Sequence, residues 1–303
     1  MLDLSIIIVS YNTKEFLREC LESILKATPQ INYEVIVVDN ASSDGSAKEF
    51  QNSDIFKKNK NFKFIENKNN LGFSKANNIG VKASKDSTYK LFLNPDTVLR
   101  RDTLDHMFLF MEKNPKVGAS TCKLVVDKNG KIDDATHRGF PIPWNAFTHF
   151  SGLSKLFPHS KFLNGYYLGW YDLDKTHQID VLAGAFMFTR SKAGEEAGWW
   201  DEDYFFYGED IDFCYVLKEK GWEIYYVPQV ECFHYKGVSG GIKKESKGLT
   251  TATIETRRMV TKSRFSAMKI FYRKHYMKKY PAILTWFVIL SINIKLWYTL
   301  KRL

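Results

Sequence analysis

The chain has 303 residues, which is enough to bury a full hydrophobic core and allows one large domain or two. A hydrophobic content of 44% and an aromatic content of 15% exclude an intrinsically disordered chain. The formal net charge of +10 belongs to the C-terminal end: residues 257–303 hold twelve basic residues and no acidic one, which leaves 32 basic against 34 acidic residues, a net charge of −2, in the rest.

The first hundred residues predict an α/β fold. Short apolar runs rich in β-branched residues end at acidic or polar turn residues, a pattern typical of buried parallel strands. Segments with helical spacing separate them, so the alternation predicts right-handed βαβ units and a mostly parallel sheet with flanking helices. The predicted strands are 4–10, 34–38, 62–66 and 89–93, and the predicted helices are 14–26, 46–52 and 75–83.

The strand ends predict where a ligand binds. In open α/β sheets, ligands bind beyond the carboxyl ends of the strands. Asp39 follows the strand at 34–38 and Asp96 closely follows the strand at 89–93, so both are expected to face one crevice. A second acidic cluster, residues 208–212, comes much later in the chain. Two separated carboxylate sites indicate a metal at one of them and a base at the other.

The pattern is less regular beyond residue 98. Residues 130–178 are rich in aromatic side chains and poorly periodic, and loops of this length inside a compact domain are usually functional. The predicted helices of this half are 104–112 and 211–220, and its predicted strands are 118–126, 179–189 and 223–227, the last ended by Pro228.

The basic C-terminal end predicts attachment to a membrane. Residues 257–280 have the spacing of a basic helix, Pro281 interrupts it, and 282–294 form an apolar run of 13 residues that Lys295 ends. A membrane-spanning helix needs ~20 apolar residues. We therefore expect insertion at the membrane interface, because spanning would require Lys295 to snorkel. A docked amphipathic helix is the alternative.

The change in composition predicts two parts, a catalytic domain over residues 1–250 and a helical membrane-association region over residues 251–303. The N-terminus lacks the basic region of a secretory signal, and the four cysteines show no paired spacing. These features predict a reducing, cytosolic setting with buried thiols that pack as small hydrophobic groups. The polybasic end would draw the chain to an anionic membrane surface, and we do not expect nucleic-acid binding.

Five segments carry the residue patterns of a known family. Each is weak alone, but five in the family's order with plausible spacing are specific. Over about residues 4–240, the chain resembles the inverting glycosyltransferases of family 2, which have the GT-A fold, and it is most similar to their bacterial rhamnosyltransferase branch. The segments are SIIIVSYNTKEFLRECLESI, VIVVDNASSDGS, ENKNNLGFSKANNIG, LFLNPDTVL and FFYGEDIDFCYVLKEKGW.

The resemblance implies a site for a nucleotide-sugar donor. Tyr11 would pack on the nucleobase, and Asp39 would accept a hydrogen bond from its ring N–H. Asn70 and Gly72 match the family's NxG element beside the diphosphate, where Gly72 permits close backbone approach and Lys75 adds positive charge. From the residues alone, Asp39 is equally well explained as a turn residue and Lys75 as part of a solvated helix face.

Asn94-Pro95-Asp96 stands where the family has its DxD metal-binding motif. Mg²⁺ or Mn²⁺ with hard oxygen ligands neutralises the charge on a departing nucleoside diphosphate. Asp96 and, by resemblance to related transferases, His234 are the expected ligands. Asn94 replaces the first acid, which predicts weaker metal binding; it could still ligate through its amide oxygen or bond the ribose. A lone histidine is otherwise more often structural, and a β-turn with Pro at its second position also describes this backbone.

Glu209 and Asp210 resemble the family's ED motif, whose aspartate is the catalytic base. Inversion by direct displacement needs one base that deprotonates the acceptor hydroxyl as it attacks the anomeric carbon. The alternative is that these acids complement a helix N-terminus, which we expect of Asp212. Trp200 and Asp201 resemble the family's segment before the ED motif and are assigned to the acceptor, although capping explains Asp201 equally well.

The resemblance as a whole implies a transferase that is peripheral or monotopic at the cytoplasmic face of the inner membrane. It would move a sugar to a lipid-linked surface glycan precursor, with L-rhamnose from dTDP-L-rhamnose as the leading donor and a UDP-hexose second. One rival is a non-catalytic sugar-nucleotide-binding scaffold, which loss of Asp96 or Asp210 would have favoured. Another is a nucleotidyltransferase, but the loop at 11–14 lacks the glycines that hold a triphosphate.

Overall fold

One mixed sheet organises the chain. The computed structural model describes residues 1–27, 30–238, 240–242, 250 and 252–303. Within this part, the strands are β1 (Leu2–Ser10), β2 (Tyr33–Asp39), β3 (Phe62–Glu66), β4 (Ser87–Leu93), β5 (Thr97–Leu99), β6 (Val117–Val125), β7 (His177–Gln178), β8 (Phe186–Arg190) and β9 (Glu223–His234). Their order in the sheet is β3-β2-β1-β4-β8-β6-β9-β5, with β7 beside β9.

Helices cover the sheet and extend the chain at its C-terminal end. In chain order they are α1 (Lys14–Ala27), α2 (Ser46–Asn52), α3 (Asp54–Lys58), α4 (Phe73–Ala83), α5 (Thr103–Lys113), α6 (Pro143–Ser151), α7 (Leu153–Leu156), α8 (Ser191–Ala197), α9 (Glu209–Glu219), α10 (Ile254–Phe271), a π-helical turn (Tyr272–Tyr276) and α11 (Ala282–Lys301).

The N-terminal half confirms the predicted alternation. Strands β3, β2, β1 and β4 are parallel, and each predicted strand lies inside the observed one with bounds that differ by no more than two residues. β1 and β2 are buried along nearly their whole length, because helices cover both faces of the sheet here. Ser10 pairs with Asp39 and Ile8 with Leu93, so the carboxyl ends of three strands meet at one edge.

The second half adds antiparallel strands and corrects the bounds of two predicted strands. β8 runs antiparallel to both β4 and β6, so the mostly parallel sheet is mixed. The strand predicted at 179–189 begins only at Phe186, because residues 183–185 leave the sheet to line a cavity. Pro228 does not end β9, which continues to His234 after a register shift in its pairing with β6. Such an irregularity removes the ladder hydrogen bond that proline cannot make.

The aromatic segment 130–178 is partly ordered into regular elements. It contains α6, α7 and the short strand β7. The backbone of Arg138 pairs with Val181 in an isolated antiparallel bridge, which ties the segment to the chain just before β8. Several of its large side chains remain exposed: Trp144, Phe147, Phe150, Phe157 and Phe162.

The two C-terminal helices pack against α9. Phe271 at the end of α10 is buried in a cluster with Tyr204 and Tyr215, which come from the part predicted as the catalytic domain. α11 runs without a break through Lys295. The predicted boundary between residues 250 and 251 falls beside Thr251, which lies outside the described residues. On these contacts, α10 belongs to the same packed unit as the sheet.

All four cysteines are buried with free thiols, which confirms that they pack as small hydrophobic side chains. They are Cys20, Cys122, Cys214 and Cys232.

Candidate active site

A cavity of about 1250 Å³ opens at the edge of the sheet where β1 and β4 end. The turns after those strands, the start of α9 and faces of α6, α10 and α11 enclose it. Tyr11, Asp96 and Asp210 line it together, so one residue from each predicted set, for donor, metal and base, shares a single crevice. A pocket for one drug-sized ligand has ~300–1000 Å³, so this cavity has room for more than one substrate.

Asp39 and Lys75 are not among the described residues that line this cavity. Lys75 is exposed on α4. Asp39 is fully buried at the end of β2, where its Oδ1 accepts a hydrogen bond from the Ser42 amide at 2.9 Å. Its Oδ2 is buried and has no partner in the described part of the chain, and burial raises the pKa of this carboxyl. A buried oxygen in this state favours a donor group supplied by a ligand.

Asn40 is a site residue that the sequence analysis did not single out. Its amide nitrogen donates to Oδ1 of Asn70 at 2.8 Å and to the carbonyl of Gly72 at 3.2 Å. Its amide oxygen accepts from the Leu71 amide at 3.0 Å and from Nδ2 of Asn67 at 3.1 Å. One side chain therefore fixes the whole NxG loop to the end of β2. Its position directly after Asp39 was the only signal available.

Gly72 allows a close backbone approach, as predicted, and the observed neighbour is Phe205. The residue has φ +84°, and a Cβ there would lie 2.6 Å from the carbonyl oxygen of Phe205. The next amide, that of Phe73, donates to the same carbonyl at 2.7 Å. Glycine is therefore required for the NxG loop to contact the loop that leads into α9.

The two predicted metal ligands, Asp96 and His234, lie side by side and are both nearly buried. Nε2 of His234 is 3.5 Å from Oδ1 of Asp96, and its Nδ1 is 3.0 Å from Oδ2 of Asp133. Lys236 donates to the other oxygen of Asp133 at 2.7 Å. Burial opposes the charged imidazole, but Asp96 and Asp133 raise the pKa of His234 to about 10. In the sequence, the only indication of a role for Asp133 was its position in the aromatic segment.

This pair fits half of a divalent-metal site. Among the described residues there is no cluster of three or more His, Cys, Asp or Glu side chains that could hold a metal. Asp96 supplies a carboxylate oxygen, and His234 supplies Nε2, which is buried, has no hydrogen-bond partner in the described structure and would have to lose its proton to a metal. Asp133 accepts from Nδ1, which is the usual way a protein directs the second nitrogen of a ligating histidine. Further oxygens would have to come from Asn94, substrate or water.

Asp210 lies in the first turn of α9 and is held by an arginine. Its Oδ2 accepts from Nη2 of Arg138 at 2.6 Å. The same guanidinium donates to the carbonyls of Ala135 at 2.9 Å and Leu182 at 3.0 Å. Burial disfavours the charge of Arg138, but the neighbouring Asp210 raises the pKa of Arg138, so the guanidinium stays charged. Two backbone carbonyls thus hold the guanidinium, and the guanidinium fixes the orientation of the carboxylate.

Glu209 lines the same cavity and has only 7% of its surface exposed. Its Oε2 is buried without a hydrogen-bond partner among the described residues. Burial and the neighbouring Asp210 raise the pKa of Glu209 above its ordinary value. Such a carboxyl group more readily carries a proton, so it suits a hydrogen bond with a substrate hydroxyl.

Asp212 anchors the C-terminal helices. It is buried and accepts hydrogen bonds from Lys274 at 3.0 Å, from Nε2 of His275 at 2.6 Å and from the hydroxyl of Tyr204 at 3.1 Å. Two of these donors come from the π-helical turn between α10 and α11. The carboxylate was expected to complement the N-terminus of its own helix, whereas its partners lie in another part of the chain.

The structure does not bring Trp200 or Asp201 to the cavity. Trp200 is buried against three phenylalanine rings, with centroid distances of 4.8–5.7 Å: Phe73, Phe92 and Phe213. Asp201 accepts from the amide of Asp203 at 2.9 Å and from Lys274 at 2.6 Å. Its contacts are those of a turn residue and of an anchor for the π-helical turn. We therefore assign neither Trp200 nor Asp201 to binding of the acceptor substrate.

Two family models match the chain. The model described as "Glycosyl transferase family 2" matches residues 5–170, more than half of the chain, and "Glycosyl transferase family group 2" matches residues 91–300. The second match includes the segment with Asp133 and Arg138 and extends across α10 and α11.

Named relatives have similar sequences. The chain is 29% identical over 238 residues to rhamnosyltransferase WbbL of Escherichia coli K12, which covers 76% of this chain and 82% of the relative. It is 28% identical over 230 residues to the poly-beta-1,6-N-acetyl-D-glucosamine synthase of Staphylococcus epidermidis, which covers 76% of this chain and 49% of that protein. The chain thus spans about half the length of the synthase.

Solved structures share the fold at low sequence identity. GalNAc-T7 with UDP, GalNAc and Mn²⁺ matches with a TM-score of 0.57 and 17% identity, over 77% of this chain and 44% of that one. Residues 1–349 of S. aureus TarS match with a TM-score of 0.52 and 16% identity, over 97% of this chain and 80% of that one. These likenesses confirm the predicted GT-A fold. With the family match, the chain belongs to glycosyl transferase family 2 and is a nucleotide-sugar-dependent glycosyltransferase.

Proposed function

We propose that this chain transfers one sugar, with inversion, from a nucleotide donor to a lipid-linked surface glycan precursor. The observation that carries the proposal is the Asp210 carboxylate, which Arg138 holds 2.6 Å away in a cavity shared with Asp96 and His234. One crevice thus contains a fixed carboxylate and a separate carboxylate–imidazole pair.

Asp210 is the proposed base. The acceptor hydroxyl gives its proton to Asp210 as its oxygen bonds to the anomeric carbon. The bond from that carbon to the diphosphate oxygen breaks, and its electron pair leaves with the nucleoside diphosphate. Arg138 keeps the carboxylate oriented, and the buried carboxyl of Glu209 would bond a sugar hydroxyl. Precise orientation of this kind contributes a large part of the rate in displacement reactions.

The donor would occupy the part of the cavity next to β1 and β4. Tyr11, Asn70, Gly72 and Asn94 line it, which supports roles against the nucleobase, diphosphate and ribose. Oδ2 of Asp39, which has no partner among the described residues, supports its proposed hydrogen bond with the base, although Asp39 is not one of the lining residues. Lys75 carries no donor role in this proposal because it is exposed and away from the cavity.

Asp96 and His234 would hold Mg²⁺ or Mn²⁺. An ion bound there would neutralise the charge that develops on the diphosphate. In the chain itself, Asp133 accepts from Nδ1 of His234 and leaves Nε2 free toward Asp96. Because Asn94 replaces an acid, we expect the ion to bind weakly unless the donor is present.

dTDP-L-rhamnose is the leading donor. The rhamnosyltransferase relative supports this choice, since the match to this chain covers 82% of its length. A UDP-hexose is second, because GalNAc-T7 and TarS were crystallised with UDP and UDP-GlcNAc respectively. The presence of Asp210, Asp96 and a cavity that contains both disfavours a non-catalytic scaffold.

The proposed site of action is the cytoplasmic face of the inner membrane. By length and composition α11 could cross a membrane, and none of its residues is buried. One face of α11, however, lines the cavity, and α11 contacts α10, for example where Lys269 donates to Oδ1 of Asn293 at 3.3 Å. A helix held along one side suits the interface better than a free span. The exposed apolar residues of α11 outside the cavity lining are Ile283, Trp286, Leu290, Ile294 and Trp297.

The deciding experiment is hydrolysis of a panel of dTDP- and UDP-sugars by the purified chain, first without acceptor and then with a lipid-linked glycan. We expect the highest turnover with dTDP-L-rhamnose. If only UDP-hexoses were turned over, a UDP-hexose would be the donor instead of dTDP-L-rhamnose. If no nucleotide sugar were turned over, the proposed function would be contradicted.

A further inference from the structure

A second cavity of about 550 Å³ lies between α7, α10 and α11. Its lining is strongly cationic, and no Asp or Glu is among the described residues that form it. Two of its four cations, Arg257 and Arg264, are half-buried, and the other two, Lys155 and Lys295, are exposed at its rim.

No described Asp or Glu side chain forms an ion pair with any of these four cations. Nε of Arg257 is buried and has no hydrogen-bond partner among the described residues. The ammonium of Lys295 lies 3.5 Å from the centre of the Phe150 ring, a contact that holds the cation without neutralising it.

The cations are close enough to influence one another. Burial lowers the pKa of His149, whose ring also lines the cavity, and the nearby Lys295, Arg264 and Lys155 lower it further. Burial also lowers the pKa of Lys295, and so does Arg264. Gathering like charges in a half-buried cavity costs free energy that a bound anion would recover.

This cationic cavity adjoins the catalytic one. The residues that line both are His149, Phe150, Arg264, Phe265, Met268 and Lys295. An anion bound among the cations would therefore lie next to the cavity that Asp210 lines, on the side formed by α6, α10 and α11.

Apolar surface adjoins the cationic cavity on its outer side. α11, which contributes Lys295, turns Leu290, Ile294 and Trp297 outward. A molecule with a phosphate group and a hydrocarbon chain could thus place its charge on Lys295 and its chain along the membrane-facing side of the same helix. A soluble anion would use only the first of these features.

We propose that the cavity lined by Lys155, Arg257, Arg264 and Lys295 binds the phosphate or diphosphate of a membrane-anchored lipid acceptor. The sugar joined to that diphosphate extends past the residues that line both cavities toward Asp210. This inference rests on the proposed transfer to a lipid-linked acceptor and adds the residues that recognise its anionic linkage.

Farnesyl diphosphate is a probe with the required chemistry, and calorimetric titration measures its binding without any transfer. We expect the double variant Arg264→Gln/Lys295→Gln to bind it at least tenfold more weakly, since each charged contact is worth about a tenfold change. Excess dTDP or UDP should not displace the probe from the wild type. Wild-type affinity in the double variant, or displacement by either nucleotide, would overturn the proposal.

The matched control is Lys262→Gln/Lys301→Gln, which removes the same charge from the same two helices outside both cavities. This control should keep wild-type affinity for the probe. An equal loss of affinity in both double variants would show that binding depends only on the net charge of the helices, which would contradict the proposal. Arg264→Lys, which keeps the charge, should restore most of the binding if Lys295 is intact, and a thermal melt of each variant excludes misfolding.

Two further measurements identify the source of the anion. Inorganic pyrophosphate should bind much more weakly than farnesyl diphosphate, and equal binding would contradict a lipid ligand. In transfer assays, Arg264→Gln/Lys295→Gln should raise the KM for the lipid acceptor at least tenfold and leave the KM for the donor within twofold. Because the titration needs no turnover, failure of the proposed transfer reaction would leave the binding result interpretable.

Discussion

Nη2 of Arg138 lies 2.6 Å from Oδ2 of Asp210, and the two side chains are only 10% and 16% exposed. The guanidinium comes from the aromatic segment and the carboxylate from the first turn of α9, 72 positions along the chain. A buried pair of this kind adds little net stability, but removing one partner leaves the other charge uncompensated. The pair therefore links the ordering of the aromatic segment to the orientation of the proposed base.

Replacing Arg138 should affect both catalysis and folding. Arg138→Gln should lower the transfer rate about 10–100-fold through loss of orientation and destabilise the fold by ~3 kcal/mol. Arg138→Lys keeps the charge but loses the planar fork, so both effects should be smaller. Single-turnover transfer and urea unfolding measure the two quantities. A variant that lost stability but kept its single-turnover rate would show that Arg138 has no positioning role.

Replacing Asp210 with Asn should abolish transfer and leave donor binding nearly intact, because the variant removes a base and keeps the shape. Turnover at saturating substrates and donor titration measure the two effects. Asp212→Asn is a matched control, the same chemical change two residues along the same helix. It should lower Tm, since it removes bonds to Lys274 and His275, and retain transfer. More than a few per cent of wild-type turnover in Asp210→Asn would contradict the base assignment.

Transfer should require a divalent cation, and excess chelator should abolish it. Asp96→Ala and His234→Ala should each raise the Mn²⁺ concentration needed for half-maximal activity. Asp133→Asn should weaken Mn²⁺ binding about 10–100-fold although Asp133 is not a proposed ligand, because it orients His234. Electron paramagnetic resonance of bound Mn²⁺ checks this without turnover. Full activity in chelator would contradict the metal assignment.

The anchor between α9 and the C-terminal helices should fail in acid. Burial opposes the charge of Asp212, but His275 and Lys274 hold the pKa of its carboxyl below the ordinary value. The unfolded chain therefore takes up the proton first, near pH 4. The stabilisation is fully present above that pH and is lost as the pH falls through the lower folded-state pKa. The difference in Tm between wild type and Asp212→Asn should shrink over this range. A difference independent of pH would show that the carboxylate charge contributes nothing.

Removing α11 should release the protein from anionic liposomes but preserve donor hydrolysis. The cut is placed after Tyr280, because a cut at residue 257 would also remove α10, whose Phe271 is buried against Tyr215 of α9, whereas no residue of α11 is buried. Flotation with liposomes and hydrolysis of the donor measure the two effects. High salt should not detach the full chain, since an inserted apolar helix is not screened as surface charges are. Full detachment by salt would favour purely electrostatic attachment.

The sequence predicts those parts of the fold that depend on local pattern. Strands β1 to β4 follow from continuous apolar runs, and the strand ends locate Asp96 at the crevice because parallel strands end at one edge. Asn40, Asp133 and Arg138 could not be identified, since each acts through a partner from another element. Pairings of this kind depend on tertiary packing, which no spacing in the sequence encodes.

The C-terminal region shows the same limit. Its composition indicated a separate basic attachment, because an excess of Lys and Arg is visible in sequence and a binding pocket for Lys274 is not. In the structure, Lys274 and His275 reach the buried carboxylate of Asp212. Charge composition therefore identified the unusual segment but not the side chains through which it docks.

Asp212 binds the turn between α10 and α11 and stands two residues from Asp210 on the same helix. With α11 lying in the membrane interface as proposed, this short connection sets the height of the base above the bilayer. An acceptor would then be selected by how far its hydroxyl stands from the lipid, in addition to its shape. After one addition, the new terminal hydroxyl would stand one sugar higher, beyond the reach of Asp210. The enzyme would therefore add a single sugar to each acceptor.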